Sequence, residues 1–258
     1  QVCYHLATKW LRVDAPMTLA KIIRRVLIAE LPIDHRLLDF DIRVRLLLHS
    51  SPPATMRALA DTTGAGVETV RRSLIRLREC GWVEDVGKAP RGALLVAACL
   101  PLPVEELVAD RLQVVRNSVD WLGQWLMRCW LDFLVAEAHY IDNSRPAWLK
   151  SPGLGRLELD RDYPRQRVGY EFQGQQHFTE GGPFAPDRKK FEERVMLDNI
   201  KAGICVRNRY RLIEVVKEDL TREIMLAKTK GYLPIANYHV DSPIERALTE
   251  MSMAYINS

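Results

Sequence analysis

The chain has 258 residues, of which 47% are hydrophobic, and 37 Lys and Arg stand against 33 Asp and Glu for a formal net charge of +4. That apolar fraction excludes a disordered polyelectrolyte and suffices for two ordinary domains, while the mild basicity permits a polyanionic partner without demanding one. The five cysteines, Cys3, Cys80, Cys99, Cys129 and Cys205, show no CxxC spacing. Neither a disulfide framework nor a zinc site is therefore expected. No apolar run reaches transmembrane length and no signal peptide opens the chain, so a cytoplasmic, nucleoid-associated protein without a membrane partner is expected.

In chain order, residues 1–38 read as a helical extension, with Leu19, Ile22, Ile23, Val26 and Leu27 at helical spacing and Pro32 closing the helix. Residues 39–100 follow a more regular plan. An apolar helix from Asp39 is broken at Ser51-Pro52-Pro53; a short helix runs from Met56 to Asp61; Gly64-Ala65-Gly66 forms a turn; a longer helix runs from Val67 to Cys80. Trp82 to Val86 and Ala93 to Ala98, joined by a turn holding Lys88 and Arg91, read as a β-hairpin.

In the helix from Val67, the residues Val67, Val70, Leu74 and Leu77 form an apolar stripe, and Thr69, Arg72, Ser73 and Arg76 fall opposite it, with Arg71 adjacent. Guanidinium forks and short hydroxyls on one face suit a major groove, where Arg reads guanine or phosphate and Ser or Thr allows close approach. A solvated face on a structural helix is the alternative. Three helices followed by a hairpin resemble the winged helix-turn-helix family over residues 39–98. That resemblance implies double-stranded DNA as partner, with Lys88 and Arg91 on the wing holding phosphates.

Residues 101–117 read as a helical linker after Pro101-Leu102-Pro103, and helix continues to about Tyr140, dense in Trp121, Trp125, Trp130 and Phe133, an aromatic stripe expected to pack. The pattern then changes to period two. Leu157-Glu158-Leu159-Asp160 and Val168-Gly169-Tyr170-Glu171-Phe172-Gln173 alternate about a polar turn. A hairpin turning near Arg165 sets Asp160 opposite Glu171. Two carboxylates facing each other repel, which costs stability unless a cation lies between them.

Asp160 followed by Glu171-Phe172-Gln173 resembles the PD-(D/E)XK nuclease motif in its ExQ form. Gly174-Gln175-Gln176-His177, a basic helix with Arg194, Asp198 and Lys201, and a closing strand Tyr210 to Val215 are similar to the very-short-patch-repair and restriction-endonuclease-like branch. The resemblance covers roughly residues 118–220, within a domain expected over 118–232, and implies an α+β domain of order αβββαβ. It implies a Mg²⁺ or Mn²⁺ ion held by Asp160, Glu171 and the backbone carbonyl of Phe172, and phosphodiester hydrolysis. Gln173 stands where the family has Lys, and an amide cannot supply positive charge. Lys201 or Arg194 could supply it, Arg194 could also hold DNA, His177 could bond phosphate or shuttle a proton, and Glu137 matches the acidic residue of the preceding helix. Each has an ordinary alternative: exposed hairpin acids, a solvated helix face, a capping histidine.

From Asp187 to Arg211 eight Lys or Arg stand against four Asp or Glu, a composition that can hold a phosphate backbone. Residues 233–258 form a tail in which Ser242 caps a helix with Pro243 at its first position. Its Ser-Pro-Ile-Glu opening is similar to the first helix of related nuclease domains, so packing on the core, completing an active site and opening a further domain all stand as readings. The function expected is a Mg²⁺-dependent endonuclease guided by a DNA-binding domain. A DNA-binding regulator with a degenerate nuclease fold, or a subunit of a transposition or repair complex, is the alternative. Cutting both strands from one site per chain calls for a homodimer.

Overall fold

A computed structural model describes residues 17–30, 37–49, 52–137, 139–151, 153, 155–174, 188–236 and 240–258, in a mixed α+β arrangement. Helices α1 (Leu19–Glu30) and α2 (Asp39–His49) come first, then β1 (Ala54–Thr55), α3 (Met56–Thr63), α4 (Val67–Glu79), β2 (Val83–Lys88) and β3 (Leu94–Ala98). Thr55 caps α3 by accepting the Ala58 N–H, and Gly64 ends it at φ 69°, a left-handed position suited to glycine. The three strands form one antiparallel sheet in the order β1-β3-β2.

Two helices follow, α5 (Leu102–Arg116) and α6 (Leu122–Leu134). Nine of the thirteen residues of α6 are buried, including Trp125, Trp130 and Phe133, as an apolar stripe this broad requires. The segments expected as extension, linker and tail pack together around it: α1 lies on α5 and α6, as does the last helix, α9 (Pro243–Ile256). Polar bonds fix these contacts. The Trp125 indole donates to the Met17 carbonyl at 2.9 Å and the Trp130 indole to the Ser252 hydroxyl at 3.0 Å, so neither indole is buried without a partner. Ser242 caps α9 on the Glu245 N–H.

The second sheet has four strands in the order β4-β7-β8-β9, where β4 is Ile141–Ser144, β7 Leu159–Tyr163, β8 Val168–Gln173 and β9 Arg211–Val216. A small hairpin, β5 (Lys150–Ser151) with β6 (Gly155–Arg156), is inserted before β7. The β4, β7 and β8 pairings are antiparallel, and β9 runs parallel to β8 after the crossover helix α7 (Arg188–Arg207). A short 3-10 turn and α8 (Arg222–Thr229) complete this half. Among the described residues no helix is long and apolar enough to cross a membrane, and Cys80, Cys99, Cys129 and Cys205 form no disulfide.

Candidate functional site

The β7–β8 register pairs Arg161 with Tyr170, and one further step sets Asp160 across from Glu171. Beyond Arg161 the strands no longer pair backbone to backbone. The Asp160 carboxylate takes over that role and accepts the Phe172 N–H at 2.7 Å. In a strand the N–H and C=O of one residue point to the same edge. Arg167, of opposite parity to Phe172, turns its carbonyl to β9, where the Arg211 N–H donates at 2.8 Å. The Phe172 carbonyl is thus directed to the Asp160 side of β8, beside the carboxylates.

Helix α6 supports this arrangement through residues the sequence reading did not single out. Gln124 donates its amide to the second Asp160 oxygen. Arg128 donates to the Asp160 carbonyl at 2.9 Å and to the Asn143 side chain at 2.6 Å, and Asp132 pairs with Arg161 at 2.5 Å. These three polar residues recur every fourth position on an otherwise apolar helix, so they form one row facing β7. That spacing is the signal that could have found them. Gly123, beside Gln124, is also constrained: a Cβ there would lie 2.2 Å from the Phe172 ring and 2.8 Å from the Tyr255 hydroxyl. Tyr255, near the end of α9, packs on the Phe172 ring, so the C-terminal helix joins the core and also touches the site.

From the other side, α7 brings Lys201 to Glu171 at 2.5 Å, with both side chains nearly buried. Burial drives the Glu171 carboxyl up to about 7; the Lys201 ammonium opposes that rise, and the charges of Asp160 and Asp198 reinforce it. Burial likewise raises Asp160 against the stabilising Phe172 N–H, Arg128 and Gln124. Two buried acceptors are left over. Glu171 Oε2 and Gln173 Oε1, two residues apart on one face of β8, have no partner among the described residues. Unsatisfied acceptors at such depth are expensive, so a ligand or water is called for here, as it is at the Gln166 amide oxygen in the turn.

Glu137, expected at this centre, is elsewhere. It accepts the His139 N–H at 2.8 Å and the Gln166 amide at 2.7 Å, at the turn end of the hairpin. The reason is direction: the N-terminal half of α6 lies over the carboxylates and its C-terminal end reaches the turn, so Gln124 takes the position expected of an acid. His177 lies outside the described residues. Arg194 lies on α7, and its side chain is outside them too.

In the first half, the outward face of α4 differs from the expected stripe. Thr69, Arg71 and Arg72 are exposed, the two arginines pairing with Glu68 at 2.7 and 3.0 Å. Ser73 is buried, and Arg76 turns inward to grip Asp41 of α2 with two bonds of 2.7 and 2.8 Å. Burial acts to raise Asp41, but hydrogen bonds from Arg76 and the Leu38 N–H outweigh it and hold the carboxyl below its usual range. A helix turn advances 100° per residue, so positions 73 and 76 fall on the flank that meets α2 rather than on the solvent face. Lys88 and Arg91 are exposed at the β2–β3 turn.

No family model and no solved structure matches the chain. It is 32% identical over 101 residues to the uncharacterized protein 307L of Invertebrate iridescent virus 6, an alignment covering 36% of this chain and 51% of that protein. The chain spans about half the length of that viral relative, and the likeness brings no activity with it.

Proposed function

We propose that the chain is a DNA-binding, metal-dependent endonuclease, with the β7–β8 hairpin and α7 as the hydrolytic centre and the α2–β3 segment as a winged-helix DNA reader. The observation that carries this reading is the pairing of Asp160 with Glu171 beside two buried acceptors, Glu171 Oε2 and Gln173 Oε1, that no group among the described residues satisfies. The chain order α6-β4-β7-β8-α7-β9 also supports it, being the αβββαβ order that the motif resemblance implies. So does the order helix, strand, helix, helix and two-stranded wing over 39–98, with Thr69, Arg71 and Arg72 outward.

The donor set suits a hard divalent cation: two carboxylates and the Phe172 carbonyl are all oxygen ligands. Among the described residues no three His, Cys, Asp or Glu side chains gather as a metal cluster. The carbonyl and water would join the two carboxylates in the shell. Bound there, Mg²⁺ or Mn²⁺ would polarise the scissile phosphate and acidify a water.

The protein groups have roles of their own. Glu171 Oε2, which Lys201 leaves without a partner among the described residues, is the oxygen that can accept a proton from that water. Gln173 Oε1 can accept the water's other hydrogen and so aim its lone pair, a task an amide performs and a lysine cannot. Lys201 brings the positive charge that Gln173 lacks to the edge of the site, where it can neutralise charge developing on the phosphate.

The test compares wild type with Asp160→Ala and Glu171→Ala on plasmid and genomic DNA, in Mg²⁺, Mn²⁺ or EDTA, reading cleavage on gels and binding by mobility shift. Metal-dependent cutting in wild type, reduced at least about a hundredfold in both variants while binding persists, is expected. Binding without cutting under every condition would replace the enzyme with a DNA-binding regulator.

A further inference from the structure

One end of the second sheet gathers arginines that no part of the hydrolytic centre uses. Arg165 and Arg167 lie in the turn between β7 and β8, Arg207 ends α7, Arg209 follows it, and Arg211 opens β9. They converge because Arg211 donates its N–H to the Arg167 carbonyl and is the register partner of Val168. All five are exposed, and among the described residues none forms an ion pair. Two carboxylates lie near them: Glu137, whose field reaches Arg165, and Glu214, which lines one cavity with Arg209 and Arg211. The Arg211 guanidinium lies 4.9 Å from the centre of the Tyr232 ring, which props it outward.

The backbone adds a separate observation. Arg167 and Arg209 sit at φ 57° and 53°, in the left-handed region where glycine or asparagine is the usual occupant. Strain of this kind concentrates at functional positions. At both turns the chain places a cation where the relaxed choice would be small and neutral.

We propose that this arginine end is a second phosphate-backbone site, which holds the nucleic acid beside the hydrolytic centre; it rests on the nucleic-acid reading above. Exposed guanidiniums bind phosphate oxygens in pairs of hydrogen bonds and release condensed counterions, so such a cluster favours a polyanion over a single anion. From Arg167 to Glu171 is four residues of strand, about 13 Å at the usual rise. The major groove of B-DNA is about 12 Å wide. A flanking phosphate of one duplex can therefore rest on the arginines while another reaches Glu171.

The test uses Arg167→Asn with Arg209→Asn, alone and combined with Arg165→Ser and Arg207→Ser, and a labelled duplex of about 30 base pairs in EDTA over a salt series. Asparagine tolerates the left-handed conformation, so the double variant should melt at or above the wild-type temperature. Its affinity should fall roughly tenfold per lost phosphate contact at 0.1 M salt, and the slope of log affinity against log salt should flatten by about 0.9 for each. Unchanged affinity and slope in the quadruple variant would overturn the proposal, as would a wild type that binds no duplex. Cleavage is not read in EDTA, so a protein that binds through these arginines yet never cuts defeats the nuclease reading alone.

Discussion

Two cation–carboxylate clusters sit on adjacent strands of one hairpin and are built to opposite ends. Around Arg161 every charge is answered: the fully buried guanidinium meets Asp132 at 2.5 Å and Asp142 at 2.8 Å and lies over the Tyr140 ring. The second Asp132 oxygen accepts the Ala20 N–H. Around Glu171 the pairing is partial. Lys201 satisfies one oxygen, and the other is buried with no donor among the described residues. A closed cluster holds elements together, whereas an open one stores an unmet demand that a substrate, water or cation can meet.

Removing one partner breaks that comparison hardest at the closed cluster. Asp132→Ala leaves Arg161 with Asp142 as its remaining carboxylate, removes the acceptor of the Ala20 N–H, and should cost about 2–4 kcal/mol, read as a lower denaturation midpoint. A loss under 1 kcal/mol would mean that water reaches Arg161.

At the open cluster the signature is pH. Glu171 is raised to about 7 in the folded chain from an ordinary value near 4.5. Between those values the folded state holds a proton that the unfolded state has lost, so stability falls as pH rises from about 4.5 to about 7. The full fall is on the order of 3 kcal/mol. Glu171→Gln should flatten that slope, as measured by urea midpoints at several pH values, and a saturating divalent cation should shift it to lower pH. A slope unchanged in the variant would assign it to another group.

Gly123→Ala probes how the site is shaped rather than charged. Alanine favours a helix by about 1 kcal/mol over glycine, yet its methyl would overlap Phe172, so a net loss of about 1–3 kcal/mol is expected. Cleavage should fall with it because Phe172 carries the N–H that holds Asp160. Adding Phe172→Leu should restore part of the stability.

In the first half, Arg76→Ala should cost about 2 kcal/mol by leaving Asp41 buried and unpaired, and should weaken DNA binding no further than misfolding explains. Arg72→Ala should leave stability within about 0.5 kcal/mol while lowering duplex affinity. If the two results were exchanged, the outward face of α4 would be the one containing Arg76.

Much of this was legible in the sequence. Period-two alternation in 157–160 and 168–173 carried the hairpin, and counting from a turn near Arg165 placed Asp160 opposite Glu171, since strand register is arithmetic once the turn is known. The capped helix at Ser242 and the helix from Val67 followed from local rules in the same way. Side-chain spacing also holds a signal for the site, the row of Gln124, Arg128 and Asp132 along an apolar helix.

What lay beyond the sequence was direction and partnership between distant segments. Helical periodicity says which residues share a face, yet the flank of α4 carrying Ser73 and Arg76 became interior only because α2 packs there. Glu137 was remote from the carboxylates because α6 runs with its first half, and not its end, over Asp160. The arginines at 165, 167, 207, 209 and 211 are separated by up to 46 positions and meet only through the parallel pairing of β8 with β9. Local chemistry determines the elements and the acids they carry; long-range packing decides which of those charges are answered and which remain open to a ligand.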